Sequence, residues 1–121
     1  MATRSKVLAY GTTAGTSPVS IYTCPVDVTA IVKYVGGGYE AGAPYVNSYA
    51  FLFYQPAGGP LIPFGSVEMI SSGAGNWAAV QGLAQGIWQC LEPGDQLLIS
   101  DDGTFTCQLV VSGAELDGVA P

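Results

Sequence analysis

The chain alternates between runs rich in β-branched and aromatic residues and short clusters of glycine and proline. "VSIYTC" (19–24), "VTAIVKYV" (28–35) and "YVNSYAFLFYQ" (45–55) are separated by Pro25 and by "GGGYEAGAP", a pattern that predicts three strands. In the second, the two-residue period of a strand puts Val28, Ala30, Val32 and Tyr34 on one face. In the third, Tyr49, Phe51 and Phe53 oppose Ala50, Leu52 and Tyr54. Both faces are then apolar, which fits a central position in a sandwich or an oligomer contact. Residues 56–86 are cut by Gly and Pro into short pieces, predicting short strands and loops with one helical turn near Trp77 to Leu83.

The last third carries the clearest pattern. "GIWQCLEPGD", "DQLLIS", "DDG" and "TFTCQLVVSG" read as strand, turn, strand, turn, strand. Glu92-Pro93-Gly94-Asp95 has Pro and Gly at the central positions of a type II turn, where Gly supplies the positive φ. For the closing hairpin, a three-residue loop Asp101-Asp102-Gly103 with a G1 bulge sets Ile99 opposite Phe105 and Leu97 opposite Cys107. Its outer face is then Gln96–Gln108, Leu98–Thr106 and Ser100–Thr104. A two-residue loop at Asp102-Gly103 mixes apolar with polar residues across the pair, and a loop of residues 102–104 gives the left-handed position to β-branched Thr104. The first register is therefore the expected one.

These elements predict an all-β chain: a single antiparallel β-sandwich of jelly-roll-like topology with about eight short strands over residues 19–121. Residues 1–18 are small and polar around "KVLAY" and have no helical period. They are expected to form an extended N-terminal arm that lies on a neighbour or adds one strand, with Arg4, Lys6, Val7, Leu8 and Tyr10 as candidate partner-binding residues.

Composition sharpens this picture. At 121 residues with 17 Gly, 8 Pro and 10% charged residues, the chain has room for one domain and too many breakers for a helical one. All three basic residues, Arg4, Lys6 and Lys33, precede Tyr34, and the net charge is −6, which leaves nothing to neutralise phosphate. Nucleic acid and anionic membranes are excluded as partners on that ground. No apolar window reaches the length of a membrane span, and no apolar block follows the basic start, so neither a span nor a secretory signal is expected. A mean hydropathy of +0.37 is high for so small a chain, and it implies apolar surface buried against other chains.

Candidate chemistry is sparse. Asp101 and Asp102, with Glu92 or Asp95, could offer oxygens to Ca²⁺, but the ligand spacing of an EF-hand is missing and Asp is a preferred turn residue, so no metal is expected. There is no histidine, so no Ser-His or Cys-His nucleophile and no His-containing zinc site can be built. A carboxylate pair at glycosidase spacing is the one hydrolase arrangement the nine acids leave open. "VGGGYEAG" lacks the Lys-Ser/Thr and the helix start of a phosphate loop. No cofactor is expected. Cys24, Cys90 and Cys107 read as buried small hydrophobes. Tyr39, Tyr45 and Trp77 are candidate sugar-stacking residues on loops.

Four stretches together resemble a group of short β-sandwich virion proteins of tailed bacteriophages. They are "TRSKVLAYG" (3–11), "SIYTCPVDVTAIVKYV" (20–35), "LEPGDQLLI" (91–99) and "VVSGAEL" (110–116), in the order found in that group. An Asn expected soon after the Ala-Ile-Val strand is displaced here by "GGGYEAGAPYVN", with Asn47 as its candidate equivalent. The resemblance implies a non-enzymatic, homotrimeric or otherwise repeated module. It would be made in the host cytoplasm and attached in the virion to the major capsid protein or a tail protein. Under that reading, removal of residues 2–9 leaves a folded oligomer that no longer attaches. The alternative is a module at the tail tip that binds host-surface glycan.

Overall fold

The alternating runs form strands, as their β-branched and aromatic content requires. The structure is a computed structural model and describes residues 3–38, 47–70, 80–81, 89–103 and 106–117. Among these residues there are nine strands and no helix: β1 (Thr3–Thr12), β2 (Val19–Thr23), β3 (Val28–Gly38), β4 (Asn47–Gln55), β5 (Ile62–Ile70), β6 (Val80–Gln81), β7 (Gln89–Leu91), β8 (Gln96–Asp101) and β9 (Gln108–Asp117). They make two antiparallel sheets, a first of order β1-β9-β3-β7 and a second of order β2-β8-β4-β5-β6. One buried cluster draws on both: Leu8, Val28, Ala30, Val32, Val35, Leu91, Leu109 and Val111 from the first, Ala50, Leu52, Leu97 and Ile99 from the second. β4 occupies the middle of its sheet, in agreement with its two apolar faces.

Several expectations are corrected. Of the two forms expected for the N-terminal segment, residues 3–12 take the second and add a strand: β1 pairs along its length with β9, and Leu8, a candidate partner residue, enters the core instead. The division at residues 18 and 19 is bridged as well, because Thr13 Oγ1 and Gly15 N both donate to Asp101. Removing residues 2–9 would therefore strip most of an edge strand and expose β9. Tyr34 does not share a face with Val28, Ala30 and Val32. A register shift between Val32 and Tyr34 turns Tyr34 outward, 49% exposed, and brings Val35 into the core. Val80 and Gln81, inside the stretch expected to turn helically, pair with Met69 and Glu68 of β5.

The closing hairpin does not exist. β8 pairs with β2 and β4, and β9 pairs with β1 and β3, so β8 and β9 belong to different sheets. Leu97, Ile99 and Cys107 are buried as expected, but they face one another's sheets across the core instead of pairing within one. Phe105 and Thr104 lie outside the described residues. Gly103 still takes the left-handed conformation, with φ 87. The Glu92–Asp95 turn also forms as read, with Gly94 at φ 89 and Asp95 N donating to Glu92 O at 3.0 Å, and it too links the two sheets.

The cysteines divide. Cys24 and Cys107 are buried, whereas Cys90 is exposed because edge strand β7 turns it outward opposite Ile31. Cys24 Sγ donates to Val28 O at 3.3 Å. With a colorimetric disulfide reagent, one thiol per native chain is expected to react quickly and the other two only on unfolding. Fast reaction of all three, or loss of the fast thiol in a variant other than Cys90→Ser, contradicts this placement.

Candidate interaction surface

The described residues hold two kinds of feature that could act: carboxylates at the strand ends, and uncharged apolar faces. The carboxylates are absorbed by the fold. Asp95 is buried, and it accepts from Tyr54 OH, Glu92 N and Ala57 N, each at 3.0 Å. Asp101 is buried and accepts from Thr13 Oγ1 at 2.6 Å, Gly15 N at 3.2 Å and, in an Asx-type turn, Gly103 N at 2.7 Å. Asp102 accepts from Tyr49 N at 3.0 Å. The carboxylates considered as oxygen donors to Ca²⁺ are not brought together, since Asp95 and Asp101 flank opposite ends of β8, roughly 20 Å apart at about 3.3 Å per residue. No group of three or more His, Cys, Asp or Glu side chains gathers anywhere among the described residues.

Glu115 points inward from β9 near the β1 and β2 edges, where Lys6 Nζ donates to it at 3.1 Å and Tyr22 OH at 2.8 Å. Lys6, expected to face a partner, is thus already ion-paired within the chain. Burial first, and donation to Glu115 second, push the Tyr22 phenol far above its ordinary value. Tyr54 is raised by burial and then by Asp95, and the Cys24 thiol is raised by burial. On unfolding these groups ionise at their ordinary values, 10.0 for the phenols and 9.0 for the thiol, while the folded chain keeps their protons. The unfolded state therefore binds fewer protons above those values, and stability falls as pH rises. Urea midpoints are expected to hold level from neutral pH to about 8.5 and to decline above about 9 to 10. Tyr22→Phe should show a shallower decline; an unchanged slope would remove Tyr22 from this account.

Two of the five sequence-derived partner residues, Val7 and Tyr10, lie on the apolar faces. On β1, Val7 is 52% and Tyr10 80% exposed on the outward face of the first sheet, while Leu8 is the extra residue of a bulge and is buried. Arg4 pairs through its backbone with Glu115. The register sets Tyr10 beside Val110 and Gly36, and Val7 beside Ser112 and Tyr34. Val110 is 39% exposed, and the Tyr34 ring lies across Gly36, where an added Cβ would stand 3.1 Å from Cε1. Between β1 and β9 an open hollow of about 370 Å³ is lined by Tyr10, Gly11, Thr12, Gln108 and Val110. The second sheet also turns apolar residues outward: Tyr49, Phe51 and Phe53 of β4 beside Leu98 of β8, the last three half-buried.

Tyr39, Tyr45 and Trp77 lie outside the described residues. Tyr34, Gln108 and Val110 were missed as surface residues. Alternation along "TCQLVVSG" carries a signal for Gln108 and Val110, since they alternate with buried Cys107, Leu109 and Val111. For Tyr34 no local signal exists, because a bulge reverses its face. Neither a scan against protein-family models nor a search of curated proteins gave a match. No helix among the described residues is long and apolar enough to cross a membrane.

Proposed function

We propose that this chain is a non-enzymatic structural protein of a tailed-bacteriophage virion, a jelly-roll sandwich that assembles as an oligomer and decorates the capsid surface or the tail. The observation that carries the reading is the pair of outward sheet faces. Each bears aromatic and aliphatic side chains where a free-standing two-layer β-protein of this size would alternate apolar with charged residues. Such a module reaches its low-energy state with protein packed against it.

The strand order supports the fold part of the reading. With the two-residue β6 set aside, β1-β9-β3-β7 and β2-β8-β4-β5 follow the order of an eight-stranded double Greek key. That architecture is common among viral capsid proteins, although it also serves other functions. The resemblance of "SIYTCPVDVTAIVKYV" and "LEPGDQLLI" to phage virion proteins points the same way, and these stretches form β2, β3 and the turn into β8.

Quantitative mass spectrometry of purified particles tests it. The chain should be present at a fixed stoichiometry, with many copies per particle if it decorates the capsid or tail tube and few if it sits at the tail tip. Absence from particles of the virus that encodes it would overturn the proposal.

A further inference from the structure

The outward face of the first sheet has three properties that together select an occupant. The first is charge. The chain carries a net charge of −6, and six of its carboxylates lie at turns, as with Asp27, Glu92 and Asp102, or are buried, as with Asp95, Asp101 and Glu115. No outward register position of β1, β9 or β3 holds an acid, whereas in the second sheet Glu68 is paired opposite Tyr49. Two copies meeting at their turns would bring like charges together; at the first sheet's face they would not.

The second property is shape. Tyr10, 80% exposed, projects beside the hollow and lines one side of it, with Gly11, Thr12, Gln108 and Val110 completing the wall. A knob and a hole on the same patch are what a two-fold contact needs, since each copy must present both. The third is the chemistry of the hole. Val110 offers an apolar wall to a ring, and Thr12 and Gln108 offer hydrogen-bond partners to a phenol hydroxyl, which needs one when buried.

We infer that this face takes a second copy of the same chain about a two-fold axis, with Tyr10 of each copy seated in the hollow of the other. The inference rests on the proposed reading of an oligomeric structural module and names one of its contacts. Three strands about 4.8 Å apart over nine residues of β9 project roughly 400 Å² per copy, which places the contact in the weak class. A virion would strengthen it by holding many copies at high local concentration.

Sedimentation velocity on the purified full chain, from low to high micromolar concentration, tests this. The wild type should show a reversible monomer–dimer equilibrium. Tyr10→Glu and Val110→Lys should each weaken it by at least about tenfold, with unchanged circular dichroism and melting temperature. Mixing these two variants should recover a mixed dimer, because the carboxylate introduced in one copy then meets the ammonium introduced in the other while the second half of the contact stays native. Phe53→Glu, on the second sheet, should leave the equilibrium unchanged. A wild type monomeric at the highest concentration overturns the inference. So does a dimer that survives Tyr10→Glu, a dimer broken only by Phe53→Glu, or saturable binding of a neutral oligosaccharide in the hollow by a monomeric chain. None of these outcomes alters the particle stoichiometry that tests the virion reading, so the two can fail separately.

Discussion

Gly113→Ala is expected to leave little or no folded protein. Gly113 sits mid-strand in β9, paired with Lys6 on β1 and Val32 on β3, beside the bulges at Val7/Ala9 and Val32/Tyr34. Its inward position is filled by backbone: an added Cβ would collide with Ile31 O and would stand 2.9 Å from Ile31 C and 3.1 Å from Leu8 Cδ1. A flexible side chain could move aside, but a carbonyl held in a central ladder can move only by breaking the pairing of β3 with β9. Ordinary overpacking costs about 1–3 kcal/mol, and a backbone collision of this depth belongs with the exceptional losses above about 4 kcal/mol. Ser112→Ala, on the neighbouring half-buried outward position, is the control and should stay within about 0.5 kcal/mol of wild type. Urea titration of both, with the soluble yield recorded, checks the prediction. A Gly113→Ala protein melting within a few degrees of wild type would show that the β3 bulge is not held where the structure has it.

Asp101→Ala should cost about 3–4 kcal/mol, because a buried carboxylate that accepts from three donors is removed and leaves Gly15 N and Gly103 N without their acceptor. The loss is not confined to one loop. Thr13 Oγ1 both donates to Asp101 and accepts from Cys107 N, while Asp101 N donates to Gly15 O. One side chain thereby fastens the β1–β2 connection to the end of β8 and the approach to β9. Asp101→Asn should lose less than Ala, since one oxygen can still serve Gly103 N, but its amide group faces the donor Gly15 N. Thr13→Val, which keeps the shape and removes the hydroxyl, should cost about 1–2 kcal/mol. Hydrogen exchange adds a local readout: the Asp101 and Thr13 amides should lose protection in Asp101→Ala before the β3 and β4 amides do. Equal, global loss in all of them would mean that the carboxylate contributes only bulk stability.

The same residue shows how far a sequence can be read. Turn chemistry was legible: Asp101 as a turn residue with local hydrogen bonds, Gly103 and Gly94 at positive φ, and the Glu92–Asp95 turn all follow from side-chain and backbone preferences that act over a few residues. Burial was legible where alternation marks one apolar side of a strand, and Leu97, Ile99, Val28, Ala30 and Val32 are all in the core, whereas the two apolar faces of β4 left open that Ala50 and Leu52 are its inward side. Exposure was legible in part: of the candidate partner residues Val7 and Tyr10 are exposed while Leu8 is buried, and the exposed Tyr34, Gln108 and Val110 were not named.

What alternation does not encode is the hydrogen-bonding partner. Segregating Leu97, Ile99 and Cys107 from their polar neighbours is satisfied equally by a hairpin and by two strands facing each other from opposite sheets, and the chain takes the second. Nor does it encode bulges, which insert one residue and reverse every face beyond them; one such insertion moves Tyr34 from the core to the surface and Val35 the other way. The sequence by itself determined strand-forming segments, turn conformations and the inward side of most strands, since these depend on each residue's own sterics and hydropathy. Only the tertiary structure decided which strands are neighbours, where the bulges fall, and that β1 joins β9 to make Tyr10 and Val110 one surface, because those depend on contacts between residues about a hundred positions apart.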